Sequence, residues 1–210
     1  MSIEKEGIVK YNLDFRNADV EIQQQYHILE KSRKLLYTLG LIGAYEDGLG
    51  YGNISQRLHQ SDKFVITSTQ TGHLEHLTID DYALVETIDF DSFKTIACGK
   101  SKPSSECITH GAIYALDTRI NAVIHIHNLQ LWQFMLTNGY LSTNDTPYGT
   151  LEMVKDVQAI YERRVPLEDN IFVMKGHKEG IVTFGRDMDE AIQPIFLLIQ
   201  KVLHSSRAKC

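Results

Sequence analysis

Cysteine is scarce in this sequence of 210 residues, which contains only Cys98, Cys107 and Cys210. An odd number of cysteines with no C-x-x-C spacing argues against a disulfide framework and against a cysteine-rich zinc module. A reducing compartment is the default for such a chain. A chain of this length can bury a substantial hydrophobic core without crosslinks.

The sequence also lacks a block of lysine and arginine, and it lacks a long apolar run. Its net charge is −6, and a nucleic-acid surface requires a basic stripe, so nucleic acid is excluded as a partner. No apolar run approaches the length of a transmembrane helix, and the first residues are acidic and carry no apolar leader. We therefore expect a cytoplasmic protein that binds neither nucleic acid nor membranes.

Internal repeats, low-complexity segments and linkers are absent as well, so one domain over residues 1–210 is the simplest account. Apolar residues at helical spacing, including Ile22, Leu29 and Leu36, predict a long amphipathic helix. Arg33 is expected at the edge of its apolar stripe, with its charged end in solvent. A second amphipathic pattern predicts a C-terminal helix of about four turns over residues 191–203. Apolar runs predict strands at 7–13, 63–67, 82–88, 121–127, 171–174 and 181–184.

The predicted strand at 121–127 carries two histidines, His125 and His127. Side chains alternate between faces along a strand, so both imidazoles point to one face while Ile124 and Ile126 point to the other. Two imidazoles on one face make a poor core, whereas neutral imidazole is a common zinc ligand. The alternative is a pair of hydrogen-bonded or partly exposed histidines, and the strand alone leaves both open.

A glycine-rich loop precedes Asn53. Gly48, Gly50 and Gly52 allow the backbone to pass close to a ligand and to adopt positive φ. Their spacing matches neither the dinucleotide nor the Walker fingerprint, and no helix follows. A tight turn before a strand is the alternative interpretation.

A second polar segment lies where Pro103 and Ser104 open a predicted helix. The first turn of this helix offers free backbone N–H groups, the hydroxyls of Ser104 and Ser105, and the positive end of the helix dipole. Such a helix start favours an anion. Glu106 lies in the same turn, where simple compensation of the dipole would also explain it.

The order of these segments resembles that of the class II aldolase/adducin family. It runs from Gly52-Asn53-Ile54-Ser55, through a threonine- and glycine-containing loop at 67–72, to Pro103-Ser104-Ser105-Glu106. The histidine strand at 122–127 and a late His177 in a strand-loop-strand segment follow. The resemblance covers about residues 20–204. It implies an α/β fold, namely a single three-layer α/β/α domain with a central, largely antiparallel sheet.

The resemblance also implies a divalent metal, usually zinc, bound by His125, His127 and His177. Glu106 matches the family's acidic residue beside the metal, which in the aldolases is a resting-state ligand and then the general base. The positions that match contacts to a substrate phosphate are Asn53, Thr71 (or Thr69), Gly72, Ser104 and Ser105. The match is less clean at Thr71 and Gly72, because the loop at 67–72 is longer than usual.

Such a site predicts an enzyme, a metal-dependent aldolase-type lyase that cleaves a small phosphorylated sugar or hydroxy-carbonyl compound. Three neutral histidines leave one position open on a tetrahedral zinc ion, which can stabilise the enediolate formed when a C–C bond breaks. Epimerisation, dehydration and decarboxylation pass through a similar species, so these reactions stay open as alternatives. A non-enzymatic, adducin-like assembly module is less favoured, because adducin-like members lack the metal histidines.

Two features depart from the family pattern. The aldolases take a proton donor from a tyrosine of a neighbouring subunit, and Tyr140 and Tyr148 are the candidates here, although packing would explain each of them. Lys178 and Glu179 occupy positions where many relatives run straight into an apolar strand, and solvent exposure is the favoured interpretation of both charges. Family enzymes are usually cyclic homotetramers, so a homo-oligomer is expected by resemblance.

Overall fold

A large sheet and five helices make up most of the chain that the computed structural model describes, which is residues 10–58, 61–163 and 170–207. The strands are β1 (Asn12–Asn17), β2 (Gly43–Ala44), β3 (Gly50–Tyr51), β4 (Asn53–Arg57), β5 (Phe64–Thr67), β6 (Tyr82–Asp89), β7 (Lys94–Gly99), β8 (Ala122–His127), β9 (Ile171–Val173) and β10 (Gly180–Gly185). The helices are α1 (Gln23–Thr38), α2 (Cys107–Leu116), α3 (Leu129–Thr137), α4 (Leu151–Arg163) and α5 (Met188–Arg207).

The main sheet has the strand order β1-β7-β6-β5-β4-β8-β10-β9, and β2 pairs with β3 in a separate small sheet. The pair of β1 and β7 is parallel, and the other neighbouring pairs are antiparallel. The predicted α/β fold with a largely antiparallel sheet is therefore confirmed. Strand β8 lies between β4 and β10, so its backbone is paired on both edges.

Apolar side chains from the two faces of the sheet enter two different hydrophobic clusters. Ile124 and Ile126 of β8 join the cluster that contains residues of α1, α3 and α5. Val123, on the other face of the same strand, joins the cluster that contains residues of α2 and α4. This distribution is what a three-layer α/β/α domain would produce, and the three layers and the single domain stay predictions.

The structure corrects three details of the sequence-based assignment. β1 covers Asn12–Asn17, later than the predicted 7–13, and residues before 10 lie outside the described part. β7 was not expected, because its character as a strand comes from pairing with β1 on one side and β6 on the other. Helix α5 has 20 residues, which is longer than the predicted four turns. No helix in the described ranges is both long enough and apolar enough to span a membrane.

Arg33 is buried, with 1% of its surface exposed, so its predicted position at the solvent edge is wrong. Its guanidinium donates hydrogen bonds to the carbonyl oxygens of Glu75 (2.8 Å), Thr71 (3.1 Å) and Gly72 (3.2 Å). These carbonyls replace the water molecules that the guanidinium loses on burial. Arg33 of α1 thus fixes the backbone of the loop that follows β5.

Candidate metal centre and anion-binding cleft

His125 and His127 lie side by side on one face of β8, as the strand alternation predicts. Both are buried, and their Nε2 atoms are 2.9 Å apart. The neighbouring strands fix this position, because β4 pairs Asn53 with His125 and β10 pairs Gly180 with His127. A residue directly opposite on a paired strand faces the same way, so Asn53 points to the same side as the histidines.

His177 and Glu106 complete a buried cluster with these two histidines. His177 lies in the loop between β9 and β10, and Glu106 lies directly before α2. Glu106 Oε1 is 3.0 Å from His125 Nε2 and 3.6 Å from His177 Nδ1. One candidate ligand atom from each of the four residues lies within 4.8 Å of the other three.

The donor set of this cluster fits a divalent metal ion. Glu106 Oε2 is buried and has no hydrogen-bond partner among the described residues, so a cation would satisfy it. His125 Nδ1 lies 3.2 Å from the carbonyl oxygen of Ile181, which can only accept. A neutral His125 ring therefore carries its proton on Nδ1 and presents the lone pair of Nε2 to the cluster. The cluster can hold a metal, and its chemistry does not fix which one.

Electrostatics in the cluster favour an ionised Glu106 and a neutral His127. Burial opposes ionisation of Glu106, but the adjacent His125 and His177 rings outweigh this effect and lower its pKa to about 2. Burial lowers the pKa of His127 well below its ordinary value, and the neighbouring His177 and His125 add to the effect. Glu106 is thus ionised at neutral pH and His127 is neutral, which are the forms that bind metal.

A polar cleft opens beside the cluster, and the predicted phosphate-binding positions all line it. Three separate segments meet there, namely the start of β4, the loop after β5 and the turn before α2. The predicted residues among them are Asn53, Thr71, Gly72, Ser104 and Ser105. Glu106, His127 and Tyr148 line the same cleft, so it is continuous with the cluster. The structure therefore brings the predicted metal ligands, the acidic residue and the predicted phosphate contacts into one place.

Close backbone contacts shape the wall of this cleft. A Cβ atom on Gly72 would lie 2.0 Å from the carbonyl oxygen of Gly43, so only glycine fits there. Gly52 has φ +76°, a conformation that glycine adopts without strain. The Thr71 hydroxyl donates to the carbonyl oxygen of Ser68 at 2.8 Å, so its oxygen can only accept from a ligand.

The two candidate tyrosines separate clearly. Tyr148 is buried at the cleft and packs against the ring of His177, with 4.8 Å between ring centroids. The hydroxyl of Tyr140 instead accepts a hydrogen bond from Lys201 of α5 at 3.1 Å. Tyr140 also belongs to the cluster on the opposite face of the sheet. Of the two, the structure brings only Tyr148 to the site.

Several residues near the cluster escaped the sequence analysis. The hydroxyl of Tyr45 lies 2.8 Å from His127 Nδ1 and donates to Glu179 Oε2 at 3.3 Å. Lys178 is exposed as expected, but Glu179 is half-buried and contacts the site through Tyr45. No sequence pattern pointed to Tyr45, whereas the unusual charge after the last histidine was a usable signal for Glu179.

A buried polar network lies beneath the cluster. Ser55 Oγ is 2.7 Å from both His110 Nδ1 and the Tyr114 hydroxyl. Burial lowers the pKa of His110 to about 3, although the carboxylate of Glu106 opposes this shift. His110 follows Glu106 by one turn of α2. Helix α2, which begins directly after Glu106, is thereby held to β4 by hydrogen bonds.

The class II aldolase and adducin N-terminal domain family matches residues 36–200. The chain belongs to this family. A methylthioribulose-1-phosphate dehydratase of Yersinia enterocolitica is 28% identical over 67% of this chain and 73% of its own length. An L-fuculose phosphate aldolase of Methanococcus vannielii is 29% identical over 44% of this chain, which spans about half (54%) of that relative.

Solved structures show the same fold as this class II aldolase family member. A sugar-phosphate aldolase from Thermotoga maritima superposes with a TM-score of 0.69, covering 89% of this chain and 95% of that chain at 19% identity. At such an identity the likeness establishes the fold alone.

Proposed function

We propose that this protein is a metal-dependent lyase that cleaves a small phosphorylated sugar or hydroxy-carbonyl compound by a retro-aldol reaction. The observation that carries the proposal is the continuity of a buried histidine–carboxylate cluster with a cleft lined by anion-binding groups. A metal centre next to an anion-binding cleft suits a substrate with a carbonyl or hydroxyl near one end and a phosphate at the other.

The cleft would hold the phosphate through groups from three segments. Ser104 and Ser105 would contribute hydroxyls from the turn before α2, beside the end of the helix whose dipole favours negative charge. Asn53 contributes its amide, and the loop at Thr71 and Gly72 contributes backbone. Fixing the charged end in this way places the reacting carbons beside the histidines and removes the cost of orienting them.

Glu106 is the proposed base. Its carboxylate lines the cleft and is ionised at neutral pH, so it can take a proton from the substrate hydroxyl or return one to the carbon next to the carbonyl. Tyr148 is the proposed donor for the opposite proton transfer, because its ring lies against His177 at the same cleft. In this proposal Tyr148 of the same chain takes the place of the tyrosine that the aldolases supply from a neighbouring subunit.

His125, His127 and His177, with Glu106, are the residues that would hold the metal, for which we propose zinc. The bound ion would polarise a carbonyl or hydroxyl oxygen and offset the negative charge of the enediolate. The chain's own contribution is to hold the ligands in place: β8 is paired on both edges, and the imidazole of His125 is oriented by the carbonyl of Ile181.

Dehydration is a second candidate reaction, favoured by the dehydratase name of one relative. In this reaction Glu106 would instead take the proton from the carbon next to the carbonyl. The hydroxyl on the adjacent carbon would then leave as water after accepting a proton from Tyr148, and no C–C bond would break. Epimerisation and decarboxylation would use the same groups. An adducin-like module without activity is disfavoured by the intact cluster.

The product distinguishes these reactions. The purified, zinc-loaded chain should be incubated with a panel of phosphorylated ketoses and aldoses, and products separated by mass. Aldol cleavage releases two fragments, one of them an aldehyde, whereas dehydration gives one product lighter by one water. Absence of both products across the panel, or full turnover after removal of the metal, would contradict the proposal.

Three broader features belong to the same proposal. The chain would form a single three-layer α/β/α domain, would assemble as a homotetramer like other family enzymes, and would act in the cytoplasm. Size-exclusion chromatography with light scattering tests the second of these, and a monomer with full activity would refute it.

A further inference from the structure

The hydrogen bonds around His127 identify a feature of the candidate metal centre that the ligands alone do not show. The hydroxyl of Tyr45, in the turn between β2 and β3, lies between two groups. It is 2.8 Å from His127 Nδ1 and 3.3 Å from Glu179 Oε2. A hydroxyl has one proton, so Tyr45 can donate to only one of these groups at a time.

The Nε2 atom of His127 faces the cluster, so a bound metal determines the direction of the hydrogen bond at Nδ1, on the other side of the ring. The Nε2 atoms of His125 and His127 are 2.9 Å apart, and such a pair is held either by one shared proton or by a cation that accepts both lone pairs. Binding a cation therefore requires the proton of His127 to be on Nδ1. Nδ1–H then needs an acceptor, and the nearest is the oxygen of Tyr45.

Glu179 allows Tyr45 to act as that acceptor. When the Tyr45 proton is directed to Glu179 Oε2, the phenol oxygen is free to accept from His127 Nδ1–H. His125 reaches the same state more simply, since the carbonyl of Ile181 accepts from its Nδ1. The two histidines of β8 thus have different supports, one from backbone and one from a pair of side chains.

The backbone of Glu179 supports a role for its side chain. Its φ is +72°, a left-handed conformation that glycine adopts easily and that residues with a Cβ rarely adopt. Strain of this kind in a loop beside a candidate site points from geometry to function. The carbonyl of Glu179 also accepts from the Asn128 amide at 3.0 Å, so the backbone holds its position without help from the carboxylate.

We propose that Tyr45 and Glu179 are positioning residues that hold His127 in the tautomer protonated on Nδ1, so that Nε2 can bind the metal. The inference rests on the metal site of the proposed function. Partners of this kind typically contribute 10- to 100-fold in metal affinity. This relay, the hydrogen bonds from His127 Nδ1 through Tyr45 to Glu179, acts on binding of the ion. It needs no contact with substrate.

Zinc affinity of the full-length chain, measured by competition with a chelator, tests this proposal. Tyr45→Phe removes the acceptor and should weaken zinc binding about 10- to 100-fold. Glu179→Gly should weaken it at least about fivefold while keeping or raising the melting temperature, because glycine relieves the positive φ. If Glu179 had only a structural role, its substitution would lower zinc affinity and melting temperature together.

Two matched variants separate the relay from charge and from packing. Glu179→Gln removes the charge but keeps an oxygen that accepts from Tyr45, so zinc affinity should stay within about twofold of the unchanged chain. Tyr51 is the other tyrosine whose ring lies beside His127, and its hydroxyl donates to the carbonyl oxygen of Gly40. Tyr51→Phe removes this hydroxyl and should leave zinc affinity unchanged. ¹⁵N-labelled histidine adds a spectroscopic readout, a slowly exchanging Nδ1 proton on His127 in the zinc-loaded protein that Tyr45→Phe should lose.

The outcomes distinguish this inference from the proposed function. If Tyr45→Phe, Glu179→Gly and the unchanged chain had the same zinc affinity and the same Nδ1 proton signal, the roles of Tyr45 and Glu179 would be refuted. The proposed metal centre would be unaffected by that result. Equal loss of affinity in Glu179→Gln and Glu179→Gly would also overturn it, since charge alone would then explain the effect. An unchanged chain that binds no zinc would refute the metal site itself.

Discussion

The two faces of β8 carry opposite kinds of side chain in one short strand. Ile124 and Ile126 enter an apolar cluster on one face, while His125 and His127 face a carboxylate and a third histidine on the other. All of these side chains are buried. Burial of an apolar group stabilises the fold directly, whereas a buried polar group costs free energy unless it has partners. The same strand thus serves stability on one face and chemistry on the other.

The polar face is supported by partners that the apolar face does not need. His125 has the carbonyl of Ile181, and His127 has Tyr45. Below them, Ser55 and His110 hold β4 and α2 together. This comparison predicts that changes on the polar face alter binding and turnover, and that changes on the apolar face alter the free energy of unfolding. The following substitutions test this difference between the two faces of β8.

Glu106→Gln should have the largest effect on activity. It keeps the size of the side chain and removes the proposed base, so kcat should fall about 10²- to 10⁴-fold. The melting temperature should change little, because the N–H group of the amide can donate to the lone pair of His125 Nε2. Glu152→Gln, an exposed change in the first turn of α4, is the control and should leave kcat unchanged. Full turnover by the Glu106 variant would remove its assigned role.

Ile124→Ala tests the apolar face. Removing a fully buried aliphatic side chain should lower the free energy of unfolding by about 2 to 5 kcal/mol, which urea denaturation measures. Zinc affinity of the folded variant should stay within a few-fold of the unchanged chain. If the substitution abolished zinc binding at temperatures where the variant is folded, the two faces would not be separable.

His110→Asn tests the network below the cluster through its pH dependence. The pKa of His110 falls to about 3 on folding from an ordinary 6.5, because burial disfavours its charge. The unfolded chain binds the extra proton first, so stability is full above pH about 6.5 and is lost as the pH falls toward 3. This loss reaches about 3 kcal/mol at pH 4.

An asparagine amide can replace Nδ1 in the bond to Ser55 and does not titrate. The variant should therefore lose less stability than the unchanged chain between pH 7 and pH 4, as measured by urea denaturation at each pH in the absence of metal. Parallel pH profiles for the two proteins would show that His110 is not a buried neutral histidine.

Ser105→Ala should have the smallest effect of the set. Ser105 lines the cleft, so loss of its hydroxyl should raise KM for a phosphorylated substrate about tenfold, equivalent to about 1.4 kcal/mol. The KM for the same compound without phosphate should not change. An equal effect on both substrates would place the phosphate elsewhere, and Tyr140→Phe, outside the cleft, is a suitable control for nonspecific effects.

Local periodicity was enough to predict the side of β8 on which each residue lies. It also placed His177 in a loop at the end of a strand and Glu106 at the start of a helix. The meeting of these residues was inferred from the family order, and the geometry brings them together. The faces of β8 and the position of Glu106 depend on short-range rules, namely the alternation along a strand and the signals for the start of a helix.

Features that depend on distant partners were not predictable in the same way. Arg33 is buried because carbonyls of a loop about 40 residues later accept its protons, and nothing in the helical pattern of α1 encodes that loop. Tyr45 and Glu179 meet His127 only after β2, β8 and β10 are assembled. Tyr148 and Tyr140 were equivalent in sequence and are separated by the sheet.

The most direct test of the account is the position of the metal. Crystals of the full chain grown with zinc should be measured at a wavelength just above the zinc absorption edge, and an anomalous difference map calculated. We predict one strong peak among Glu106, His125, His127 and His177, with no comparable peak in the rest of the chain. A map with no peak in this cluster, from protein that contains stoichiometric zinc elsewhere, would contradict the account.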